Sequence, residues 1–144
     1  MSTSFAIYHN LFIKAPKHKV FEAVSLPEHL NLWWTLKASG EPRVGETYNL
    51  NFTDTYNWFA KVVVCTPNKA FHLKMIQSDA DWNPTTFGFD LDEKENGTYL
   101  RFSHINWSQC NDAYKTASFC WAILLNALKN YLEQGSVVPF EARN

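Results

Sequence analysis

The spacing of hydrophobic and polar positions changes period twice along this chain. Residues 5–14 alternate between apolar and polar, which is typical of a β-strand, and two short helical patterns follow Pro16. Alternation then returns in five successive segments between residues 47 and 104. Residues 112–134 go back to three- and four-residue steps. The pattern predicts one strand, two short helices, a run of hairpins and one long final helix.

The final helix is the only predicted element that is long enough to cover a sheet. Its apolar residues recur along one side from Ala117 through Trp121 to Leu132, while Lys129 lies on the opposite side. Gly135 is a suitable residue for the helix end. We therefore expect an α+β fold, in which this helix packs across one face of a curved antiparallel sheet of six or seven strands. Trp121 is the predicted structural anchor of the helix.

The size and composition are those of one well-packed unit. The chain has 144 residues, which predicts a single domain over residues 1–144 with its core at about 5–135 and a tail at 136–144. Aromatic residues make up 16% of the sequence, more than a minimal core of this size needs. They either fill the core or line a cavity.

The charge pattern and the cysteines exclude several classes of protein. The net charge is −1 and no run of like charges exceeds two residues, so we expect no nucleic-acid partner. No apolar stretch is long enough to span a membrane, and the opening residues do not resemble a signal peptide. The 3 cysteines are widely spaced, without a CxxC pair. They predict reduced thiols in a cytoplasmic protein, without a metal site.

Residues with catalytic potential are few. The sequence contains no phosphate-binding glycine loop, no GxSxG and no HExxH motif. We therefore assign no catalytic residue and no cofactor. His9 and His104 fall on the apolar side of their strands, where each ring needs a hydrogen-bond partner or water. Tyr48 also faces the interior, where its hydroxyl is placed to orient a ligand.

Three separate segments carry a resemblance to a known family. The stretch LFIKAPKHKVFEAVSLPEHLNLWW, residues 11–34, resembles the opening signature of the heat-shock-protein-90 ATPase activator homologue family. Residues 97–104 resemble its penultimate hairpin strand, and residues 121–135 resemble its closing Trp…Leu…Tyr-Leu-Glu-x-Gly helix. The resemblance implies a helix-grip fold of the START-like (SRPBCC, pollen-allergen-like) superfamily, with a cavity between the sheet and the last helix.

The resemblance also implies which residues surround that cavity. In related folds the first and last strands are neighbours, which would bring His9 and His104 close together. The inward-facing positions then give the cavity candidates His9, Trp34, Tyr48, Phe52, Trp58, Met75, Phe89, Phe102, His104 and Leu125.

Three functions remain open at this point. The residues favour a binder of an apolar small molecule, lipid-like or aromatic, which requires a cavity of about 300 Å³ or more. The family name suggests instead a chaperone-associated stress-response module. The superfamily also contains polyketide cyclase- or hydratase-like enzymes, which would use the histidines or Tyr48 as proton shuttles. We expect a monomer or a weak homodimer.

Overall fold

The computed structural model describes residues 4–143 and confirms the predicted α+β class. Residues 1–3 and 144, the ends of the predicted domain, lie outside the described residues. In chain order the elements are β1 Phe5–Ile13, α1 Lys17–Ser25, α2 Pro27–Trp33, β2 Lys37–Ser39, β3 Thr47–Asn51, β4 Asn57–Thr66, β5 Ala70–Gln77, β6 Thr86–Lys94, β7 Gly97–Trp107, α3 Asp112–Gln134 and a 3-10 turn at Phe140–Ala142.

The strands form one 7-stranded sheet in the order β1-β7-β6-β5-β4-β3-β2. Every neighbouring pair is antiparallel, and β1 lies beside β7, as the resemblance implied. Register shifts in β4, between Phe59 and Ala60 and between Val62 and Val64, add twist to the sheet. The edge strand β2 was not predicted, because a 3-residue strand is too short to show alternation.

Helix α3 has the bounds that the sequence predicted. Its first turn is capped by Asn111, whose side-chain oxygen accepts a hydrogen bond from the Tyr114 amide at 3.1 Å. It ends at Gly135, which adopts the left-handed conformation with φ 72°. Trp121 packs the helix onto the sheet, with ring centroids 4.4 Å from Phe102 on β7 and 5.5 Å from Phe87 on β6. This is the helix-grip arrangement.

The chain after Gly135 does not leave the domain as a free tail. Arg143, near its end, is only 8% exposed and donates hydrogen bonds to the carbonyls of Asn31 and Thr35 at the end of α2. Within residues 4–143, no helix combines the length and the apolarity that crossing a bilayer would require.

Candidate ligand cavity

A cavity of about 490 Å³ lies beside the N-terminal half of α3. Its other sides come from the segment after α2, the hairpin between β3 and β4, the loop before β6, and the chain after Gly135. The lining residues are Trp34, Phe52, Thr53, Tyr56, Trp58, Asp79, Trp82, Ala117, Cys120, Trp121, Leu124, Phe140, Glu141 and Arg143.

Five aromatic side chains in this lining contact one another in a closed circuit. We call them the aromatic cluster: Trp34, Phe52, Trp58, Trp82 and Trp121. Their successive ring centroids lie 5.5, 5.2, 4.8 and 6.1 Å apart, and 5.0 Å separates Trp121 from Trp34. These distances are those of favourable aromatic pairs. These rings therefore form one wall of the cavity and support one another.

A hydrogen-bond chain connects two residues of this cluster, Trp121 through its ring and Trp82 through its main-chain carbonyl. The Trp121 indole N–H donates to His104 Nδ1 at 3.0 Å, so that nitrogen carries no proton. His104 Nε2 then donates to the Thr85 hydroxyl at 2.7 Å, and the Thr85 hydroxyl donates to the Trp82 carbonyl. Every donor in the chain has one acceptor, which fixes the neutral Nε2–H tautomer of His104. These hydrogen bonds link α3, β7 and the loop before β6.

Burial also favours the neutral form of His104. The ring is fully buried, and desolvation lowers its pKa from 6.5 to about 3. A second ring proton would also point at the Trp121 N–H, where no acceptor lies. His104 therefore remains neutral over the physiological range and positions the Trp121 ring of the cavity wall.

Comparison with known proteins identifies the family. The family model described as Activator of Hsp90 ATPase homolog 1-like protein matches residues 14–133, most of the chain. The chain belongs to the Activator of Hsp90 ATPase homolog 1-like family. A search of curated proteins gave no match.

Solved structures agree with this family assignment. The solution structure of the Aha1 dimer from Colwellia psychrerythraea is 32% identical, with a TM-score of 0.83 over 92% of this chain and 98% of that one. Protein SSP2350 from Staphylococcus saprophyticus is 20% identical, with a TM-score of 0.78 over 94% and 96%. DynU16, from the dynemicin biosynthetic locus, is 18% identical, with a TM-score of 0.77 over 92% of this chain and 48% of its own. The last two show a shared fold alone.

The structure places only some of the predicted residues at the cavity of this family member. Trp34, Phe52 and Trp58 line it, together with the predicted anchor Trp121. The residues that do not line it are His9, Tyr48, Met75, Phe89, Phe102, His104 and Leu125. Strand alternation identifies the inner face of a sheet, but it does not identify the part of that face that other side chains leave uncovered.

The two histidines lie on neighbouring strands, as expected, but they do not bond to each other. In the ladder between β1 and β7, His9 lies opposite Phe102, while His104 lies opposite Ile7. His9 Nε2 donates to the Ser118 carbonyl of α3 at 3.1 Å. Each histidine therefore has its own partner, because the register offsets the two rings along the strands.

The hydroxyl of Tyr48 also has a hydrogen-bond partner within the protein. It is completely buried, and its hydroxyl donates to the Ser25 carbonyl at the end of α1. Burial, with smaller effects from Cys65, Glu28 and Glu41, raises the pKa of this phenol well above its usual value. In this position the hydroxyl joins α1 to β3 and does not face the cavity.

Sequence reasoning missed several lining residues. Trp82 lies in the loop before β6, where alternation gives no information; an aromatic residue in an otherwise polar loop was the available signal. Phe140, Glu141 and Arg143 lie beyond both the predicted core and the span that matches the family model. Burial lowers the pKa of Arg143, and Glu141 opposes that effect. Within the described part of the chain, no three His, Cys, Asp or Glu side chains are grouped to hold a metal.

Proposed function

We propose that this protein binds one small, uncharged aromatic molecule in the cavity, in a binding rather than a catalytic role. The observation that carries the proposal is the aromatic cluster that lines one side of a space of about 490 Å³. That volume lies within the range of small-molecule sites, about 300–1,000 Å³, and aromatic side chains are the usual lining of such sites. The hydrogen-bond chain through His104 supports a site that is already formed before the ligand arrives.

The charged groups at the cavity favour an aromatic ligand over a fatty acid. The lining includes the carboxylates of Asp79 and Glu141, which are exposed at its edge. It also includes Arg143, but each of the three guanidinium nitrogens of Arg143 already donates to a main-chain carbonyl. A ligand carboxylate would therefore meet two like charges and one cation that is already engaged. An uncharged ring system avoids this cost.

We do not propose the enzymatic alternative, because it relied on His9, His104 and Tyr48. None of the three lines the cavity, and each makes a hydrogen bond to the fold.

Isothermal titration calorimetry with a matched pair of probes tests the proposal. 1-Aminoanthracene and anthracene-1-carboxylate share one ring system and differ in charge. We expect the amine, which is neutral at pH 7.5, to bind about threefold more tightly, since exposed like charges contribute at most about 1 kcal/mol. Equal affinities would contradict the charge argument only. If neither probe binds, and a wider set of two- to four-ring aromatics also fails to bind, the cavity is not a ligand site.

A cavity-filling variant shows where the probe binds. Ala117→Leu adds side-chain volume to the cavity wall, and we expect it to weaken 1-aminoanthracene binding about tenfold or more, which corresponds to about 1.4 kcal/mol. Ala122→Leu is the matched control, because Ala122 lies on the exposed side of the same helix. Equal losses in the two variants would place the probe elsewhere.

Family membership supports a second candidate function, a contact with an Hsp90-type chaperone or a second copy of the chain. A 32% identical structure is an Aha1 dimer, and Tyr8 and Phe119 expose 69% and 67% of their surface. The test compares the ATP hydrolysis rate of an Hsp90 with and without the protein, and with a Tyr8→Ser/Phe119→Ser variant. Sedimentation velocity measures self-association in the same samples. An unchanged hydrolysis rate together with a monomeric sedimentation coefficient would exclude this candidate.

A further inference from the structure

We infer that residues 136–143 form a strap that belongs to the binding site, and that Arg143 positions this strap so that it slows the release of the ligand. The inference rests on the proposed function and adds to it a segment outside the family-matched span of residues 14–133.

Arg143 fixes the strap through its whole guanidinium group. Nε donates to the Val138 carbonyl at 2.8 Å, within the strap itself. The two terminal nitrogens donate to the carbonyls of Thr35 and Asn31, both at 3.0 Å. One side chain therefore closes the strap on itself and ties it to the end of α2. The rigid planar fork of arginine suits such a three-way contact, which the single ammonium of lysine cannot reproduce.

The attachment point on α2 needs such a donor. Carbonyls in the last turn of a helix have no partner within the helix. The amides of both Trp34 and Thr35 turn back to the Leu30 carbonyl, which leaves the Asn31 carbonyl to be satisfied from outside. Arg143 supplies that hydrogen bond. The strap is thus attached at a defined position, directly beside Trp34 of the aromatic cluster.

The strap contributes side chains to the cavity as well as an anchor. Phe140 and Glu141 line the cavity together with Arg143. The Arg143 guanidinium carbon lies 5.8 Å from the centroid of the Phe140 ring, within the range of a cation–π contact. Arg143 therefore also orients the ring that faces the ligand space.

The strap can open without unfolding the domain. Its 3-10 turn has no buried residue, and Phe140 itself is only half-buried. Segments with few buried apolar contacts open locally at a small fraction of the global stability. The two hydrogen bonds from Arg143 to the end of α2 oppose this opening, so Arg143 affects how often the cavity is uncovered. We expect the strap to act mainly on the dissociation rate, where most differences in affinity arise.

Surface plasmon resonance on the immobilised full chain tests this with 1-aminoanthracene. Arg143→Met keeps an apolar stem of similar length and removes all the donors, and we expect dissociation to become about tenfold faster while association changes by less than about threefold. Arg143→Lys should release the probe nearly as fast, since its charge alone cannot replace the fork. Phe140→Ala should also release faster. Val44→Ala, at an exposed valine outside both the strap and the lining, is the matched control and should leave both rates unchanged.

The dissociation rate separates positioning from simple destabilisation. A change that only lowered stability would leave the release rate of the folded molecules intact, so the melting temperature is measured for every variant. If Arg143→Met and Phe140→Ala both release the probe within about twofold of the wild-type rate, the strap inference is overturned and the proposed function stands. A wild-type chain that binds neither this probe nor other aromatics overturns both.

Discussion

The two halves of α3 pack against the rest of the molecule in different ways. Towards its C-terminal end, Leu125 and Leu128 are buried, and polar side chains connect the helix to its surroundings. The Tyr131 hydroxyl is 2.8 Å from His29 Nδ1 on α2, and Glu133 accepts from the Lys14 amide at 2.8 Å. This half is closed. Towards the N-terminal end the helix borders the cavity.

Side-chain size explains part of this difference. The N-terminal half presents Ala117 and Cys120 to the cavity, where the closed half has leucines. Small residues alone would let the neighbouring groups collapse inward. Here the rings of the aromatic cluster are kept in place by their contacts with one another and by the hydrogen bonds from Trp121 through His104. An open space next to a packed core therefore needs both small residues and rings that are fixed in place.

We expect the largest effect from replacing Trp121, which belongs both to the aromatic cluster and to the hydrogen-bond chain through His104. Trp121→Ala deletes a buried ring and leaves His104 Nδ1 without its donor, so we expect a loss of about 3–5 kcal/mol in the free energy of unfolding. Urea denaturation measures it. Phe119→Ala, on the exposed side of the same helix, should change stability by less than about 0.5 kcal/mol. A loss below about 1 kcal/mol for Trp121→Ala would mean that the cavity wall is not structural.

The second largest effect is a pH dependence of the free energy of unfolding, which arises from His104. The folded protein holds this imidazole neutral with a pKa of about 3, whereas the unfolded chain takes up a proton near pH 6.5. Proton binding therefore favours unfolding, so the stabilising contribution is complete above pH 6.5 and is lost as the pH falls towards 3.

His104→Gln isolates this contribution. The difference in unfolding free energy between the wild type and His104→Gln should be constant above about pH 7. It should then shrink by about 1.4 kcal/mol per pH unit between pH 6 and pH 4. Urea titrations at a series of pH values give this difference, and the other four histidines cancel because both proteins contain them. A difference that stays flat over that interval would show that His104 titrates alike in both states.

The smallest expected effect tests the region away from the cavity. Tyr48→Phe removes the hydroxyl that donates to the Ser25 carbonyl, and we expect it to cost about 1 kcal/mol of stability. The affinity for 1-aminoanthracene should stay within about twofold of the wild type, because Tyr48 does not line the cavity. A loss of affinity without a loss of stability would restore the original hypothesis that this hydroxyl orients a ligand.

The sequence predicted the fold well because the fold follows from local periodicity. The bounds of α3, residues 112–134, are visible in the three- and four-residue spacing and in Gly135. The site was predicted less completely. Trp82 and Phe140 lie in segments without a repeating pattern, and their positions depend on tertiary contacts. Arg143 falls in the segment that was predicted only as a C-terminal tail. Its burial depends on carbonyls at residues 31 and 35, more than 100 positions away in the sequence.

The aromatic cluster has a spectroscopic consequence. Four of the protein's 6 tryptophans, Trp34, Trp58, Trp82 and Trp121, line the cavity, while Trp33 and Trp107 are buried elsewhere. Indole emission shifts in wavelength and intensity when water beside the ring is replaced by another molecule. Four of the six side chains that give the unlabelled protein its intrinsic fluorescence are therefore ones that a bound molecule would touch. Compounds that do not absorb at the indole excitation and emission wavelengths can be screened directly against that signal.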